Sequence, residues 1–201
     1  MFLKKENFIT EALILSGISL YAYVLNWYSG NIGVMPIDSF GFFDTGYSIT
    51  QGHLPIRDFW IFTGLVVDYM GAIFISFFGN NWNSYIAHSS FMNIVATIGL
   101  YFFLKQYNLK IFHRIFYCLS FATLCYPLSG TPFAYLHAYI FSLLAIFSLI
   151  LATKKRSILL WFIFPFICSL AFLSMQTPTT YILIILLFPI FYYLSKKDNY
   201  K

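Results

Sequence analysis

The chain has 201 residues, of which 60% are hydrophobic and only 9% are charged, and its mean hydropathy is +0.75. Soluble domains carry about 25% charged residues, so this composition excludes an ordinary soluble globular protein. The net charge of +5 does not indicate a nucleic-acid partner, because the basic residues are distributed as in a membrane protein.

Seven apolar segments have the length of helices that cross a membrane or lie on it. About 20 apolar residues span the hydrocarbon core as a helix. The first segment follows Lys4 and Lys5 and lacks a small-residue cleavage site, which predicts an uncleaved signal-anchor. A count by hydropathy alone predicts seven spans, over residues 8–28, 62–79, 84–104, 111–126, 134–152, 157–174 and 178–195.

The basic residues argue against seven complete spans. Cytoplasmic loops carry an excess of Lys and Arg. With seven spans, three of the four basic clusters would lie outside the cytoplasm. If segment 62–79 does not cross, every cluster and both termini face the cytoplasm. The clusters hold eleven of the twelve basic residues: Lys4 and Lys5; Lys105, Lys110 and Arg114; Lys154, Lys155 and Arg156; Lys196, Lys197 and Lys201.

Segment 62–79 itself favours a position at the membrane interface. Asp68 lies near its middle, and an ionised Asp at the bilayer centre costs about 2.5–3.5 kcal/mol on insertion scales. A helix lying at the interface avoids this cost. We therefore predict an all-α polytopic transmembrane bundle with six spans and one interfacial helix, with seven spans as the alternative. Residues 1–201 form one module, and residues 29–83 form its first extracytoplasmic loop with juxtamembrane helices.

The first outer loop is the region most suited to carry function. Residues 29–61 contain three acids and Arg57, the only basic residue outside the four clusters. Long ordered loops of mixed charge are often functional. Two further polar residues fall on the same predicted side, one at the start of a span and one at a turn. We predict a single outward-facing site lined by Asp38, Asp44, Arg57, Asp58, His137 and Gln176.

Structural roles are the alternative for each of these residues. Asp44 precedes Thr45 and is suited to begin a short helix. Arg57 and Asp58 are suited to form a local ion pair of little energetic value. His137 is as well explained as a helix residue with satisfied hydrogen bonds. His53, His88 and His113 lack ligand spacing, and Cys118, Cys125 and Cys168 are predicted to be buried thiols.

The loop resembles that of the GT-C glycosyltransferases. The similarity is to polytopic enzymes related to dolichyl-phosphate-mannose mannosyltransferases and to bacterial transferases that decorate lipopolysaccharide cores. A turn containing Gln176 also resembles one that some members place before a later span. The matching stretches are Asp44-Thr45-Gly46-Tyr47, Gly52-His53-Leu54-Pro55-Ile56-Arg57-Asp58-Phe59, Phe78-Gly79 and Leu173-Ser174-Met175-Gln176-Thr177-Pro178.

The resemblance implies inverting transfer of a sugar from a polyprenyl-phosphate donor to an extracytoplasmic glycan, lipid or protein acceptor. The position that matches the family's catalytic carboxylate is Asp44, with Asp38 as a competitor. Arg57 is then the partner of the lipid phosphate, with Asp58 positioning it, and His137 and Gln176 contact sugar or phosphate. Some members bind a divalent metal through acidic residues, but no ligand spacing here requires a metal or another cofactor.

Two other function classes remain open at this stage. Family members are usually longer, so the chain is also suited to be the N-terminal module of a transferase, a non-catalytic subunit or part of a split enzyme. A transporter or flippase subunit is disfavoured, because transporters usually carry inverted repeats and ionisable residues at the midplane. In every case we expect an integral, multi-pass protein, in the plasma (inner) membrane if bacterial, with its active face outside.

Overall fold

The computed structural model describes residues 8–33, 36–61 and 63–196, and its regular structure there is helical apart from an isolated bridge between Pro55 and Phe59. Pro36 begins the second helix, where its missing N–H is not needed. Within these ranges the chain forms α1 (Phe8–Ile32), α2 (Pro36–Thr50), α3 (Leu65–Phe78), α4 (Trp82–Lys105), α5 (Ile111–Leu124), α6 (Ala134–Lys155), α7 (Ile158–Ser174) and α8 (Gln176–Ser195).

Four of the described helices, α1, α4, α6 and α8, are long and apolar enough to cross a membrane. The apolar helices α3, α5 and α7 are shorter. Large apolar side chains on α1, α7 and α8 lie exposed, among them Phe8, Phe162 and Phe188, which are 83%, 74% and 74% exposed. Such apolar surfaces on a monomer indicate contact with lipid or another apolar partner. The prediction of a helical, multi-pass membrane protein is confirmed at this level.

Buried amides join α1, α4 and α5. Asn93 of α4 donates to the carbonyl oxygens of Ala22 and Ala122, at 3.0 Å in each case. Asn26 donates to Ser89 Oγ at 3.0 Å. Hydrocarbon supplies no hydrogen bonds, so polar groups inside such a bundle must find protein partners. Together with the hydrogen bond from Arg114 of α5 to Tyr101 of α4, these contacts make α4 antiparallel to both α1 and α5.

The second half of the chain packs α6, α7 and α8 as antiparallel neighbours. Ser148 of α6 donates to the carbonyl of Leu160 in α7. Thr179 at the start of α8 donates to the carbonyl of Ala171 near the end of α7. Trp161 of α7 contacts Tyr193 of α8, with 5.7 Å between ring centroids. Each helix therefore begins beside the end of its predecessor.

The bundle has two chemically different ends. One, the basic end, contains residues 105–114, 154–158 and 193–196. There Lys105 pairs with Glu11 and Lys154 donates to the carbonyl of Gln106. Apart from Arg57, all Lys and Arg within the described residues lie at this end, namely Lys105, Lys110, Arg114, Lys154, Lys155, Arg156 and Lys196.

The opposite end, the loop end, contains residues 29–33, 79–85, 125–134 and 174–176. The indole of Trp82 donates to the carbonyl of Gly30 at 3.2 Å, and the hydroxyl of Tyr85 donates to that of Pro132 at 3.2 Å. Gly30 and Gly130 pack so closely that a Cβ on Gly30 would lie 2.7 Å from the Gly130 oxygen. The turns at this end are thus tied directly to each other.

Both ends of α3 attach to the loop end. The amide of Gly64, which precedes α3, donates to the carbonyl of Ser174 at 3.1 Å. Gly79, which follows α3, accepts from the hydroxyl of Ser84 at 2.5 Å. Helix α5 has the same length of 14 residues but runs from the basic end to the loop end. Helix α3 therefore lies across one end of the bundle.

Helix α1 continues to Ile32, so residues 29–32 of the segment predicted as the first outer loop with its juxtamembrane helices are helical. One sequence-based expectation needs correction. Asp44 does not begin a helix, because α2 starts at Pro36 and Asp44 lies within it. The hydropathy count did not find α2 because this helix is short and interrupted by polar residues. Its packing against α3 stabilises it in spite of its weak apolar pattern.

Candidate functional site

Helix α2 packs on α3 through glycine. A Cβ added to Gly46 would lie 3.3 Å from the backbone nitrogen of Ala72 and from the carbonyl carbon of Gly71. These distances are tighter than ordinary contacts, so the two backbones meet without an intervening side chain. The buried Phe42 fills the same interface, edge to face with Phe133. The helix carrying Asp38 and Asp44 is thus held at the loop end.

A buried carboxyl lies where α2 and α3 meet. Asp68 of α3 is 1% exposed, and its Oδ1 accepts a 2.5 Å hydrogen bond from the hydroxyl of Thr45. Its Oδ2 is buried without a hydrogen-bond partner among the described residues. Burial raises the pKa of Asp68 to about 6, and the Thr45 hydrogen bond opposes part of this rise.

Asp38 and Asp44 are both exposed but lie on different sides of α2. Successive residues turn by about 100° around a helix, so six residues separate these carboxylates by about 240°. Asp38 is seven residues before Thr45 and lies on nearly the same side of α2 as Thr45. Asp44 points away from the surface that packs on α3. The two predicted candidates for the catalytic base therefore have different surroundings.

Arg57 and Asp58 form a paired unit in the turn after α2. The guanidinium donates twice, through Nε and Nη2, to the two carboxylate oxygens at 2.7 Å in each case. The amide of Leu54 also donates to Asp58 at 2.7 Å. The Arg57 guanidinium, followed by the Leu54 amide, lowers the pKa of Asp58 to about 2. The pair therefore stays ionised at neutral pH and orients Arg57.

The turn that holds this pair is tightly closed. The amide of Ile56 donates to the carbonyl of Phe59 at 2.9 Å, and Asp58 donates to that of Leu54 at 2.9 Å. Ile56 has a φ of 72°, which is costly for a β-branched residue. The hydrogen bonds between Asp58 and Leu54 thus offset the local strain at Ile56, while the Asp58 carboxylate also orients the Arg57 guanidinium.

His137 lies inside the bundle, whereas the other predicted site residues are exposed. It is 0% exposed. Its Nε2 lies 2.9 Å from Nε2 of His88, and its Nδ1 lies 2.9 Å from the hydroxyl of Tyr126 and 3.0 Å from the carbonyl of Phe133. His88 also stacks on Phe74 of α3. Sequence analysis missed His88 because it judged histidines by ligand spacing, whereas this pair joins two separate helices.

Gln176 is exposed at the start of α8, directly after the strand-like Met175. Its neighbour Ser174 accepts the hydrogen bond from Gly64, so Gln176 lies near the start of α3. Five of the six predicted residues are exposed and His137 is buried; α2, which carries Asp38 and Asp44, packs on the loop end, and Arg57 and Asp58 follow it in the chain. Among the described residues, the only ion pair or hydrogen bond joining two of the six is that between Arg57 and Asp58.

Metal-ligating side chains do not gather at this site in the described part of the chain. No group of three or more His, Cys, Asp or Glu residues is arranged there to hold a metal ion. The two imidazole nitrogens that approach most closely, those of His88 and His137, bond to each other. Metal binding through Asp38, Asp44 and Asp58 remains an expectation from the resemblance.

Comparison of the chain with known protein families, with curated proteins and with solved structures finds no match. The GT-C resemblance therefore remains a prediction that rests on the quoted residues alone.

Proposed function

We propose that this protein is a membrane glycosyltransferase, or the N-terminal module of one. It transfers a sugar from a polyprenyl-phosphate carrier to an extracytoplasmic glycan, lipid or protein acceptor with inversion. The observation that supports this proposal is that Asp44 is exposed on α2 and that the Arg57–Asp58 ion pair lies in the turn that follows α2. A carboxylate and a permanent cation are thus carried by one helix and the turn after it.

The orientation in the proposal follows from charge. Cytoplasmic ends carry the excess of Lys and Arg, so the basic end is cytoplasmic and the loop end is extracytoplasmic. Helix α3 is the interfacial helix, since both of its ends attach to the loop end. At 1.5 Å per residue, α3 and α5 are each roughly 21 Å long, so what distinguishes α3 is the attachment of both its ends to the loop end and not its length. Six helices then cross: α1, α4, α5, α6, α7 and α8.

The chemistry requires a base and a phosphate partner. Inverting transfer needs a carboxylate that removes the acceptor proton as its oxygen attacks the anomeric carbon. Asp44 is the base in this proposal, because it matches the family motif and is exposed. Arg57 stabilises the negative charge on the departing lipid phosphate. Two of its nitrogens bind Asp58, and Nη1 remains for the phosphate.

The other two predicted site residues take different parts. Gln176 is exposed near the start of α3 and contacts the sugar or phosphate. His137 is fully buried with both ring nitrogens engaged, so the proposal does not bring it against the donor. It supports the loop end from below, through Tyr126.

The experiment is sugar transfer from a polyprenyl-phosphate donor by Asp44→Asn. Asn keeps the size of the side chain but cannot accept a proton, so we expect activity to fall by about 10²–10⁴-fold, the usual worth of a general base. Asp38→Asn is the matched control on the same helix and should retain activity. Full activity of Asp44→Asn together with loss in Asp38→Asn would transfer the role to Asp38, and full activity of both would reject the mechanism.

The Arg57 role is tested separately. Arg57→Lys keeps the positive charge but loses the two-pronged bond to Asp58, so it should retain more activity than Arg57→Gln. Equal activity of the two variants would show that the charge at this position does not matter. Failure of the unaltered protein to transfer any sugar, in the presence of the remaining envelope proteins, would favour the non-catalytic alternative.

A further inference from the structure

The rotation of α2 about its own axis is not determined by apolar burial alone. Phe42 is buried against Phe133, whereas Phe40 is 53% exposed and Phe43 packs on Tyr85. Aromatic residues therefore occur on several sides of the helix. A helix with apolar residues on several sides can turn at a membrane surface with little change in buried apolar area.

Polar contacts can set the rotation where apolar burial does not. Thr45 is 4% exposed and donates to Asp68 at 2.5 Å. If α2 were rotated about its axis, the Thr45 hydroxyl would no longer face the Asp68 carboxylate that accepts its hydrogen bond. A Cβ on Gly46, the next residue, would lie 3.3 Å from the backbone of α3, so this side of α2 approaches α3 closely because Gly46 has no side chain. The two contacts hold α2 in one rotational state.

That state decides where each carboxylate of α2 points. Asp44 precedes Thr45 and is turned about 100° from it, so a buried Thr45 leaves Asp44 directed away from α3. Asp38 is seven residues before Thr45 and lies on nearly the same side as Thr45. A rotation of α2 by about half a turn would release Thr45, carry Asp44 toward α3 and carry Asp38 away from it.

We propose that Asp68 is a positioning residue that, through Thr45, fixes the rotation of α2 and so directs the carboxylate of Asp44 into the extracytoplasmic site. The inference rests on the proposed function for the part played by Asp44. The rotation itself does not depend on that function. Asp68 is one helix away from Asp44 and acts only through the Thr45 hydroxyl.

The rotation is tested by cysteine labelling of the full chain in membranes with a water-soluble maleimide. Asp44→Cys and Asp38→Cys are made in a background without the three native cysteines. Adding Thr45→Val removes the donor at nearly constant volume, and we expect the labelling rates at positions 38 and 44 to change severalfold in opposite directions. Thr45→Ser keeps a hydroxyl and should restore both rates.

Two further variants separate rotation from unfolding. Asp68→Leu removes the acceptor and should reproduce the effect of Thr45→Val, whereas Asp68→Asn keeps an acceptor oxygen and should not. Thr97→Val is the matched control, since the buried Thr97 hydroxyl bonds only its own helix, at the carbonyl of Asn93. Unchanged rates in Thr45→Val and Asp68→Leu, or rates that rise together at both positions, would overturn the proposal.

Activity measurements distinguish this proposal from that of function. In the sugar-transfer assay, Thr45→Val and Asp68→Leu should lower kcat on the order of 100-fold, as expected for a misplaced reacting group, with KM for the donor little changed. If the labelling rates changed in opposite directions while Asp44→Asn kept full activity, the role of Asp68 in fixing α2 would stand and the proposed glycosyltransferase function would be rejected. If Asp44→Asn abolished activity but the labelling rate at position 44 did not change in Asp68→Leu, the proposed function would stand and the role of Asp68 would be rejected.

Discussion

Asp68 shows how a single buried carboxyl is stabilised and destabilised at once. The Thr45 hydroxyl satisfies one oxygen, and the other is buried without a partner among the described residues. Desolvation of the charged form dominates, so the pKa rises. The sequence predicted an interfacial α3 from the cost of burying the Asp68 charge in the bilayer. The hydroxyl that bonds this carboxyl belongs to Thr45 of α2, a different helix.

The raised pKa predicts a pH-dependent stability. A carboxyl with a pKa of about 6 in the folded protein and 3.8 otherwise stabilises the fold while it is protonated. This contribution is complete below pH 3.8 and is lost as pH rises through about 6. Above that range, the ionised Asp68 costs on the order of 3 kcal/mol. Asp68→Asn should therefore raise the apparent Tm at about pH 7.5 and change it little at about pH 4.

The measurement is thermal unfolding of both proteins in detergent across this pH range. Groups other than Asp68 titrate equally in the two proteins, so the difference between their curves isolates this carboxyl. A difference in Tm that does not vary with pH would contradict the assigned titration.

The hydroxyl of Tyr126 is a second residue on which a local network depends. It accepts from the amide of Phe133 at 3.0 Å and lies 2.9 Å from Nδ1 of His137. Tyr126→Phe leaves that amide without this partner, and a buried unsatisfied group costs about 1–3 kcal/mol. We expect a clear fall in apparent Tm. Tyr117→Phe is the matched control, since Tyr117 is 48% exposed and should change little.

Among single residues, the sequence was informative about charge and less so about geometry. Arg57 stood out because it is the only basic residue away from the clusters, and the structure pairs it with its neighbour. For His137 the sequence left open a site residue and a helix residue with satisfied hydrogen bonds, and the structure buries it with both ring nitrogens engaged. Its partner His88 lies 49 positions away in the chain, and no local spacing reveals such a pair.

Helix α1 depends on close backbone contact at the loop end. A Cβ on Gly30 would lie 2.7 Å from the oxygen of Gly130 and 2.9 Å from Cγ2 of Ile86. Gly30→Ala should therefore force α1 away from α4 and the 125–134 turn, at the usual cost of overpacking, about 1–3 kcal/mol. Gly17→Ala on the same helix meets nothing within 4 Å and gains up to about 1 kcal/mol of helix propensity.

Thermal unfolding of the two variants side by side measures this contrast. Because both substitutions add the same methyl group to the same helix, the intrinsic propensity cancels in the comparison. Equal Tm values for Gly30→Ala and Gly17→Ala would show that the Gly30–Gly130 contact does not constrain the bundle.

Helix α2 is the element that hydropathy could not predict. Its 15 residues include two Asp, two Ser and two Thr, which is too polar for a span. Juxtamembrane helices were predicted within residues 29–83, but the apolar pattern did not locate this one. What stabilises α2 is its contact with α3 through Gly46 and Thr45, and a contact between helices is invisible in a window along one of them.

At the scale of the whole molecule, the separation of charge predicts the topology. Positions 51, 80 and 155 are exposed and can be replaced by cysteine. With six spans, Gln51→Cys and Asn80→Cys label from outside and Lys155→Cys only after permeabilisation. With seven spans, positions 80 and 155 exchange sides, while position 51 remains outside.

Labelling with an impermeant maleimide in intact cells provides the test. Gln51→Cys is the internal control, because both topologies leave it outside. The native cysteines are replaced first, since Cys125 and Cys168 are only half-buried. Exclusively cytoplasmic labelling of position 80 would show that α3 crosses the membrane, and the proposed site would then be divided between two sides.

The sequence by itself determined the class of this protein and its charge separation. Apolar segments of spanning length and basic residues in clusters are properties of composition and spacing, and each acts locally with lipid or water. All seven apolar segments became helices with ends close to those predicted, segment 62–79 among them as α3.

Only the tertiary structure decided what surrounds each functional candidate. It put Asp44 on the open side of α2, buried His137 against His88, and joined Asp68 to Thr45 across 23 positions of the chain. Such pairs form because buried polar groups must find partners once water is removed. The partner is chosen by helix packing, which brings together residues that no pattern along the chain connects.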